Sequence, residues 1–391
     1  MPTHDHNDPE PDTADARGFL GCDGFLRNTW YPALWGDALK AGQTLARRIL
    51  DEPLVFFRAF DGTPAALRDA CPHRFAPLAL GRVLPDGHLR CAYHGLEFDR
   101  RGSCVRNPQG NGRIPHGARV KSYPVAERHH MLWIWMGDSP PNETLIPDFS
   151  VLDRGDPSLA TALDHIVIDA NYLLVVDNLL DLTHLNYLHE GYLSADDPDA
   201  IETKPERKGT SLHVHTVTRN GEISALLKLL WKPEGGRADI YQDTRWDAPG
   251  CVLITGGATE PGEPLEKGTG TFGIHLLTPE TMTTTHYSFA AVRWNPRSWG
   301  ADADVRIRTE LANLRHQVFE AQDGALLRKQ QANLKDHSLQ TDRPIFLQSD
   351  AGPMLMRRTI RQMLDAERPQ TTREWEVGSK TARPLRPSAD A

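Results

Sequence analysis

The 391-residue chain has no apolar run near the ~20 residues that a membrane-spanning helix needs, so none is expected. Its first 18 residues are polar and acidic and hold no apolar stretch of the kind a secretory leader carries. They are expected to be a disordered tail on a cytoplasmic protein. Basic clusters are absent and the net charge is -8, which argues against nucleic acid or an anionic membrane as partner. Cysteine is scarce. The five residues sit at 22, 71, 91, 104 and 251, an odd number in a compartment that keeps thiols reduced, so a disulfide framework is not expected. A nucleotide-phosphate loop is lacking as well. Gly268-Thr269-Gly270-Thr271-Phe272-Gly273 spells G-x-G-x-x-G, but a strand-like run follows where a dinucleotide site needs a helix, which favours a glycine-rich hairpin.

What is present is an ordinary globular balance, 39% apolar and 25% charged, over a length that allows two or three domains. Residues 40–140 alternate short apolar runs with turn signals such as Asp61-Gly62 and Asn111-Gly112, the pattern of a small all-β sandwich or barrel. Inside it lie Cys71-Pro72-His73 and, after 17 intervening residues, Cys91-Ala92-Tyr93-His94. A Cys2His2 set permits tetrahedral zinc, but zinc-finger spacing pairs Cys with Cys and His with His. Here each half is mixed, the arrangement of a Rieske [2Fe-2S] centre, in which two His replace two Cys on one iron. The other three cysteines read as small structural thiols.

A second stretch, from Asp177 to Glu190, sets Asn178, Asp181, His184 and His189 among Leu179, Leu180, Leu182, Leu185 and Leu188. The leucines predict a helix, with Asn178, Asp181 and His184 along one face. On a regular helix His184 and His189 would point about 140° apart. For both to meet one metal, the helix must end or bend near Asn186. Two His with a distant carboxylate form the ligand set of a non-haem Fe(II) oxygenase. The alternative is a buried helix whose histidines are hydrogen-bonded core residues.

Together the two motifs resemble those of the Rieske non-haem iron oxygenases, in that family's order. Residues 28–138 look like its Rieske domain, and Asn178-x-x-Asp181-x-x-His184-x4-His189 like its mononuclear iron motif. The run Gly273-Ile274-His275-Leu276-Leu277-Thr278-Pro279-Glu280, with His286-Tyr287, is similar to the branch holding the oxygenase components of vanillate and dicamba O-demethylases. The resemblance implies an α+β protein, with an N-terminal all-β Rieske domain and a catalytic domain whose antiparallel sheet is covered by helices. The expected boundaries are a tail over 1–18, the Rieske domain over 19–140, with a linker at Pro140-Pro141, the catalytic domain over 141–370 and a loose tail over 371–391.

By resemblance Cys71, His73, Cys91 and His94 hold one [2Fe-2S] cluster, and His184, His189 and Asp323 hold one mononuclear Fe(II). Asp323 lies on a helical pattern over 302–335, where Leu311, Leu314 and Val318 make a core-facing stripe; Glu320 is the competing carboxylate. The resemblance also implies that His94 of a neighbouring subunit hydrogen-bonds Asp181, which holds His184 and carries the electron, in a head-to-tail homotrimer. Asn178 belongs with Asp181 in the catalytic set, and His275 and His286 are expected to contact substrate. Since no flavin or nicotinamide motif survives its context, electrons are expected from NAD(P)H through a separate flavin/Fe–S reductase, with or without a ferredoxin. The expected reaction is O2-dependent O-demethylation of a methoxylated aromatic acid. Ring hydroxylation, by mono- or dioxygenation, and N-demethylation are the alternatives at the same iron.

Overall fold

A computed structural model describes residues 24–154, 156, 159–193, 202–297, 300–334 and 344–368. The expected tails over 1–18 and 371–391, and Cys22, lie outside the described residues. The N-terminal part holds β1 (Trp30–Trp35), β2 (Thr44–Ile49), β3 (Glu52–Arg58), β4 (Pro64–Arg68), β5 (Arg82–Val83), β6 (Leu89–Arg90), β7 (Glu97–Phe98), β8 (Cys104–Arg106), β9 (Ser122–Tyr123), β10 (Val125–Arg128) and β11 (Met131–Trp135). They form three small sheets, ordered β1-β11-β10, β2-β3-β4-β9 and β5-β6-β7-β8.

Period-two alternation makes these sheets into layers. In β1 and β11, Tyr31, Leu34, Leu132 and Ile134 face Phe56 and Ala66 of the second sheet. Trp30, Trp35, Trp133 and Trp135 face the other way, towards the catalytic domain. In β3 and β4, Val55, Phe57 and Leu67 turn outward and pack on Cys71 and Cys91. The thiols therefore sit at the far end of the stack from the catalytic sheet.

That sheet begins with β12 (Asp164–Ile168) and continues, after α1 (Tyr172–Leu180) and α2 (Leu185–Leu188), with β13 (Glu202–Lys208), β14 (Ser211–Glu222), β15 (Arg237–Asp247), β16 (Cys251–Thr259), β17 (Thr269–Thr281) and β18 (Thr284–Trp294). α3 (Ala225–Leu230) interrupts it, and α4 (Ala301–Arg315), α5 (Gly324–Leu334) and α6 (Ala351–Glu367) follow. The seven strands are antiparallel in the order β12-β18-β17-β16-β15-β14-β13. One face, with Val214, Trp246, Val252, Leu277 and Tyr287, packs on α1, α5 and α6 through Leu173, Leu327 and Met356. The other, with Cys251, Leu253, Ile274 and Leu276, rests on the Rieske tryptophans and Phe149. Each such fully buried large side chain contributes roughly 1.5–3 kcal/mol. The expected α+β organisation is observed.

The Gly268–Gly273 run lies in the β16–β17 hairpin, where it leads into and opens β17, with no helix after it. One local expectation changes. The helix expected over 302–335 is broken by a π-helical segment, His316–Asp323, between α4 and α5.

Candidate active site

The two Cys/His halves occupy loops of the same build. In each, the amide four residues on donates to the cysteine carbonyl (Phe75 to Cys71, 2.8 Å; Gly95 to Cys91, 3.1 Å), and the cysteine amide donates five residues on (to Ala76, 2.9 Å; to Leu96, 2.8 Å). The fourth position is left-handed in both, with φ 55° at Phe75 and 76° at Gly95. The loops bring two buried thiols together and, two and three residues on, set two imidazoles with their Nδ1 atoms 3.1 Å apart. Burial, and then the neighbouring Cys91, push the Cys71 thiol up to about 11. In such a place a thiol stays protonated unless a metal's charge draws the proton off. Two thiols and two imidazoles converging in this way fit a [2Fe-2S] cluster.

The expected bend in the second motif falls earlier than Asn186. α1 ends at Leu180, because Asp181 turns extended (φ -90°, ψ 105°). Its Oδ1 accepts from the Thr183 amide and hydroxyl at 2.9 and 2.7 Å. His184 and His189 then flank the single turn of α2 as its N-cap and C-cap. Asn178, Asp181 and His184 thus do not share one helical face. Nor does the Asp181 carboxylate hold His184: the His184 Nδ1–H donates to the Asp181 backbone carbonyl at 2.5 Å.

Asp323 arrives from the π segment. Its Oδ1 lies 3.2 Å from His189 Nε2 and 3.8 Å from His184 Nε2, and accepts from Asn178 Nδ2 at 3.1 Å. Both imidazoles spend Nδ1 on an acceptor, the second one on Gln322 Oε1 at 2.8 Å, so both bare Nε2 atoms turn to Asp323. His189 Nε2 and Asp323 Oδ2 are buried without a hydrogen-bond partner. Buried atoms left so are costly, and here they meet at one point, which is where the three residues fit a mononuclear iron with open positions. Burial opposes charge on His189, but Asp323, helped by Gln322, outweighs it and raises its pKa. Glu320, the competing carboxylate, is exposed and accepts from His316 at 2.8 Å.

A cavity of about 210 Å³ opens onto this cluster. Leu182, Leu185, Leu227, Ile254 and Phe319 make it mainly apolar, and Leu311, Leu314 and Val318, expected as a plain core stripe, form one wall. Gly256 and Gly273 flatten the sheet beneath it. A Cβ on Gly256 would meet nothing within 4 Å, and one on Gly273 would come to 3.0 Å of His275 Nε2. His275 lines the cavity, its Nδ1 2.6 Å from the Tyr287 hydroxyl. Burial, then Arg315, hold it down to about 3, so it is neutral.

His286 is not in the cavity. His275 pairs with Phe289 and His286 with Thr278, so the two histidines have opposite parity and lie on opposite faces of the β17–β18 ladder. His286 Nε2–H donates to the Arg48 carbonyl at 2.9 Å, and its Nδ1 lies 3.2 Å from His165 and 3.4 Å from Arg47. It belongs to the seam between β2 and the catalytic sheet. Gln322, Tyr287 and Phe319 carried no spacing signal of their own.

A layered Rieske fold joined to a helix-covered sheet with a two-His, one-Asp cluster defines the class of Rieske non-haem iron oxygenases. Residues 29–124 match the Rieske [2Fe-2S] domain and residues 168–366 the vanillate O-demethylase oxygenase C-terminal domain. The chain is 35% identical to the dicamba O-demethylase oxygenase component of Stenotrophomonas maltophilia, over 88% of this chain and 99% of that one. It is 33% identical to a vanillate O-demethylase oxygenase subunit of Pseudomonas sp., over 88% and 96%. It is 32% identical to the chloroacetanilide N-alkylformylase oxygenase component of Rhizorhabdus wittichii, over 88% and 97%. The crystal structure of dicamba monooxygenase bound to 3,6-dichlorosalicylic acid superposes with a TM-score of 0.82 at 34% identity, over 88% of this chain and 100% of that one.

Within that class, the chain belongs to the vanillate O-demethylase oxygenase family. It is an oxygenase component, with a [2Fe-2S] cluster and a mononuclear iron as cofactors and a separate electron-supplying component.

Proposed function

We propose that this oxygenase removes a methyl group oxidatively from a methoxylated aromatic acid. The observation that carries the reading is the small apolar cavity at the His184, His189 and Asp323 cluster, with a neutral His275 in its wall. Its volume of about 210 Å³ is below the ~300–1,000 Å³ of pockets for drug-sized ligands, which suits a single ring. Cys71, His73, Cys91 and His94 would hold the cluster, and His184, His189 and Asp323 the iron. When bound, the iron supplies oxygen-activating chemistry and the cluster supplies single electrons.

The chain's own residues do the rest. The leucines and Phe319 exclude water, and His275 Nε2, with Nδ1 engaged by Tyr287, holds a polar substrate group. Asn178 keeps Asp323 turned towards the histidines. One oxygen atom ends in the methyl group and the other in water, at a cost of two electrons and two protons. The resulting hemiacetal releases formaldehyde and leaves a phenol.

The reading extends to the assembly. Three inter-sheet gaps of ~10 Å each put roughly 30 Å between thiols and iron site in one chain, which supports a head-to-tail homotrimer in which Asp181 meets His94 of the partner subunit. Asp181 Oδ1 is taken by Thr183, which leaves Oδ2 for that contact. The proposed domains are 19–140 and 141–370. Electrons come from NAD(P)H through a flavin/Fe–S reductase, with or without a ferredoxin, in the cytoplasm; among the described residues no helix is long and apolar enough to cross a membrane.

A second reading, N-dealkylation, is favoured by the chloroacetanilide N-alkylformylase relative. Coupled turnover over a panel of methoxybenzoates and N-alkyl anilides separates them. The proposal expects formaldehyde and phenol in equal amounts from the former. Ring-hydroxylated product with its methoxy group intact, or turnover of the anilides alone, would overturn it.

A further inference from the structure

We propose that His213, His215 and Asp243 bind a divalent transition-metal ion, such as Zn²⁺ or Cu²⁺, on the face of the catalytic sheet away from the cavity. The argument starts from strand geometry. Residues two apart on a strand share a face. Leu212 and Val214 point into the helix-covered core, so His213 and His215 point the other way. Asp243 of β15 stands directly opposite His215 in the ladder, two pairs along from the His213–Arg245 pair and so on the same face. Three side chains from two neighbouring strands thus rise side by side from one patch.

Their donor atoms converge. His213 Nδ1 lies 3.0 Å and His215 Nδ1 3.3 Å from the same oxygen, Asp243 Oδ1. All three ligand atoms fall within 4.8 Å of one another. A tetrahedral ion with bonds of ~2.0–2.1 Å sets its ligands ~3.3 Å apart, so the two N–O spacings are already close to those of a metal site. The two rings stack, with centroids 5.7 Å apart and planes 16° apart, so both present the same nitrogen to the carboxylate. His215 also has the support metal-bound imidazoles usually have. Its other nitrogen, Nε2, lies 3.5 Å from Glu206 Oε2 on β13, a carboxylate within reach to orient the ring once Nδ1 binds an ion.

Imidazole nitrogen with one carboxylate oxygen suits zinc and copper better than magnesium or calcium, which prefer oxygen alone. The side chains of His215 and Asp243 are 34% and 36% exposed, which gives an ion a way in and leaves room for water as a further ligand. The bound ion would tie β14 to β15. The latter strand also carries Ile240 and Gln242, which line the substrate cavity from its other face.

The test uses the full chain with its cluster and iron in place. In equilibrium dialysis, wild type should retain one equivalent of Zn²⁺ beyond its iron, and His213→Ala and His215→Ala should each weaken that binding at least tenfold. Asp243→Asn keeps the shape and loses the charge, and should weaken it about tenfold. The iron site also offers two imidazoles, so Cu²⁺ is added to the His189→Ala chain, with the cluster oxidised and therefore EPR-silent. The copper spectrum should show coupling to two nitrogens, and to one when His215→Ala is added. No added zinc in the holo-protein, or zinc retention and copper coupling unchanged by the His213 and His215 substitutions, would overturn the site and leave a hydrogen-bonded His–Asp group. Visible spectra of the cluster in each variant show that the fold is intact.

Discussion

At the residue scale, the histidines of the proposed iron site, His184 and His189, are held by two different acceptors, and these predict different failures. Gln322 Oε1 is the acceptor for His189 Nδ1–H. Gln322→Leu removes it, frees the ring and should lower iron affinity ~10–100-fold, the usual cost of losing such an orienting group. Metal analysis should show the mononuclear iron lost while the cluster's visible spectrum stays. Asp181→Asn should behave in the opposite way. His184 leans on the Asp181 backbone carbonyl, which the substitution keeps, and an amide oxygen can still accept from Thr183. Iron should therefore be retained and the cluster reduced as before, with reoxidation on mixing with substrate and oxygen greatly slowed. Reoxidation at the wild-type rate would remove Asp181 from the electron path.

The proposed ligands could be picked out in the sequence because their spacings, C-x-H, C-x-x-H and His-x4-His, are local. Their orientation was not. The role of Asp181 turns on one ψ angle, and that of His286 on which cross-strand partner it meets. Neither follows from spacing.

At the scale of elements, the π segment is the device that sets Asp323. The apolar stripe along α4 ends in a wider turn, which presents Phe319 to the cavity and buries Asp323 beside it. Such bulges often occur at functional sites. The helix itself was legible from its leucine spacing. The extra width of the turn left no mark, since Phe319-Glu320-Ala321-Gln322 suits an α-helix equally well. The two cavity glycines were visible as a glycine-rich run, but only strand register shows that Gly256 and Gly273 share the cavity face. A side chain at Gly256 would meet open space. Gly256→Leu should fold, keep both metal centres and occupy much of the cavity, raising KM at least tenfold for the ring substrate with little change in iron content. Steady-state turnover with parallel metal analysis checks this; an unchanged KM would place the substrate elsewhere.

At the scale of the whole molecule, the Rieske and catalytic parts meet at a basic seam. Arg47 Nη1 donates to His165 Nε2 at 3.1 Å and lies 3.4 Å from His286 Nδ1, with Glu280 the nearby acid. Burial, then Arg47, hold His165 down to about 3 and His286 to about 4. Both are neutral in the fold, whereas in the unfolded chain they take up a proton near pH ~6.5. Below that pH the unfolded state binds more protons, so this part of the stability is whole above about pH 6.5 and is lost as pH falls towards 4 and then 3. His165→Gln should flatten the fall in unfolding midpoint over that window by up to about one proton's worth of slope. An unaltered slope would show that the seam does not titrate with folding. Sequence alone pointed to the two domains, but this seam joins residues more than two hundred positions apart and had no local signature.

The layered stack has a genetic consequence. With the thiols at one end of each chain and the iron site beyond two intervening sheets, the proposed head-to-tail ring places a chain's two centres in different electron-transfer junctions. Two dead alleles should then rescue one another. His94→Ala spoils the donor half and His189→Ala the acceptor half, and each alone should be inactive. Co-expressed in equal amounts and assembled at random in a head-to-tail ring, a junction works when an intact donor faces an intact acceptor. That is half of a half, so about one quarter of wild-type activity should return. If electrons crossed within each chain, the mixture would be as dead as its parents.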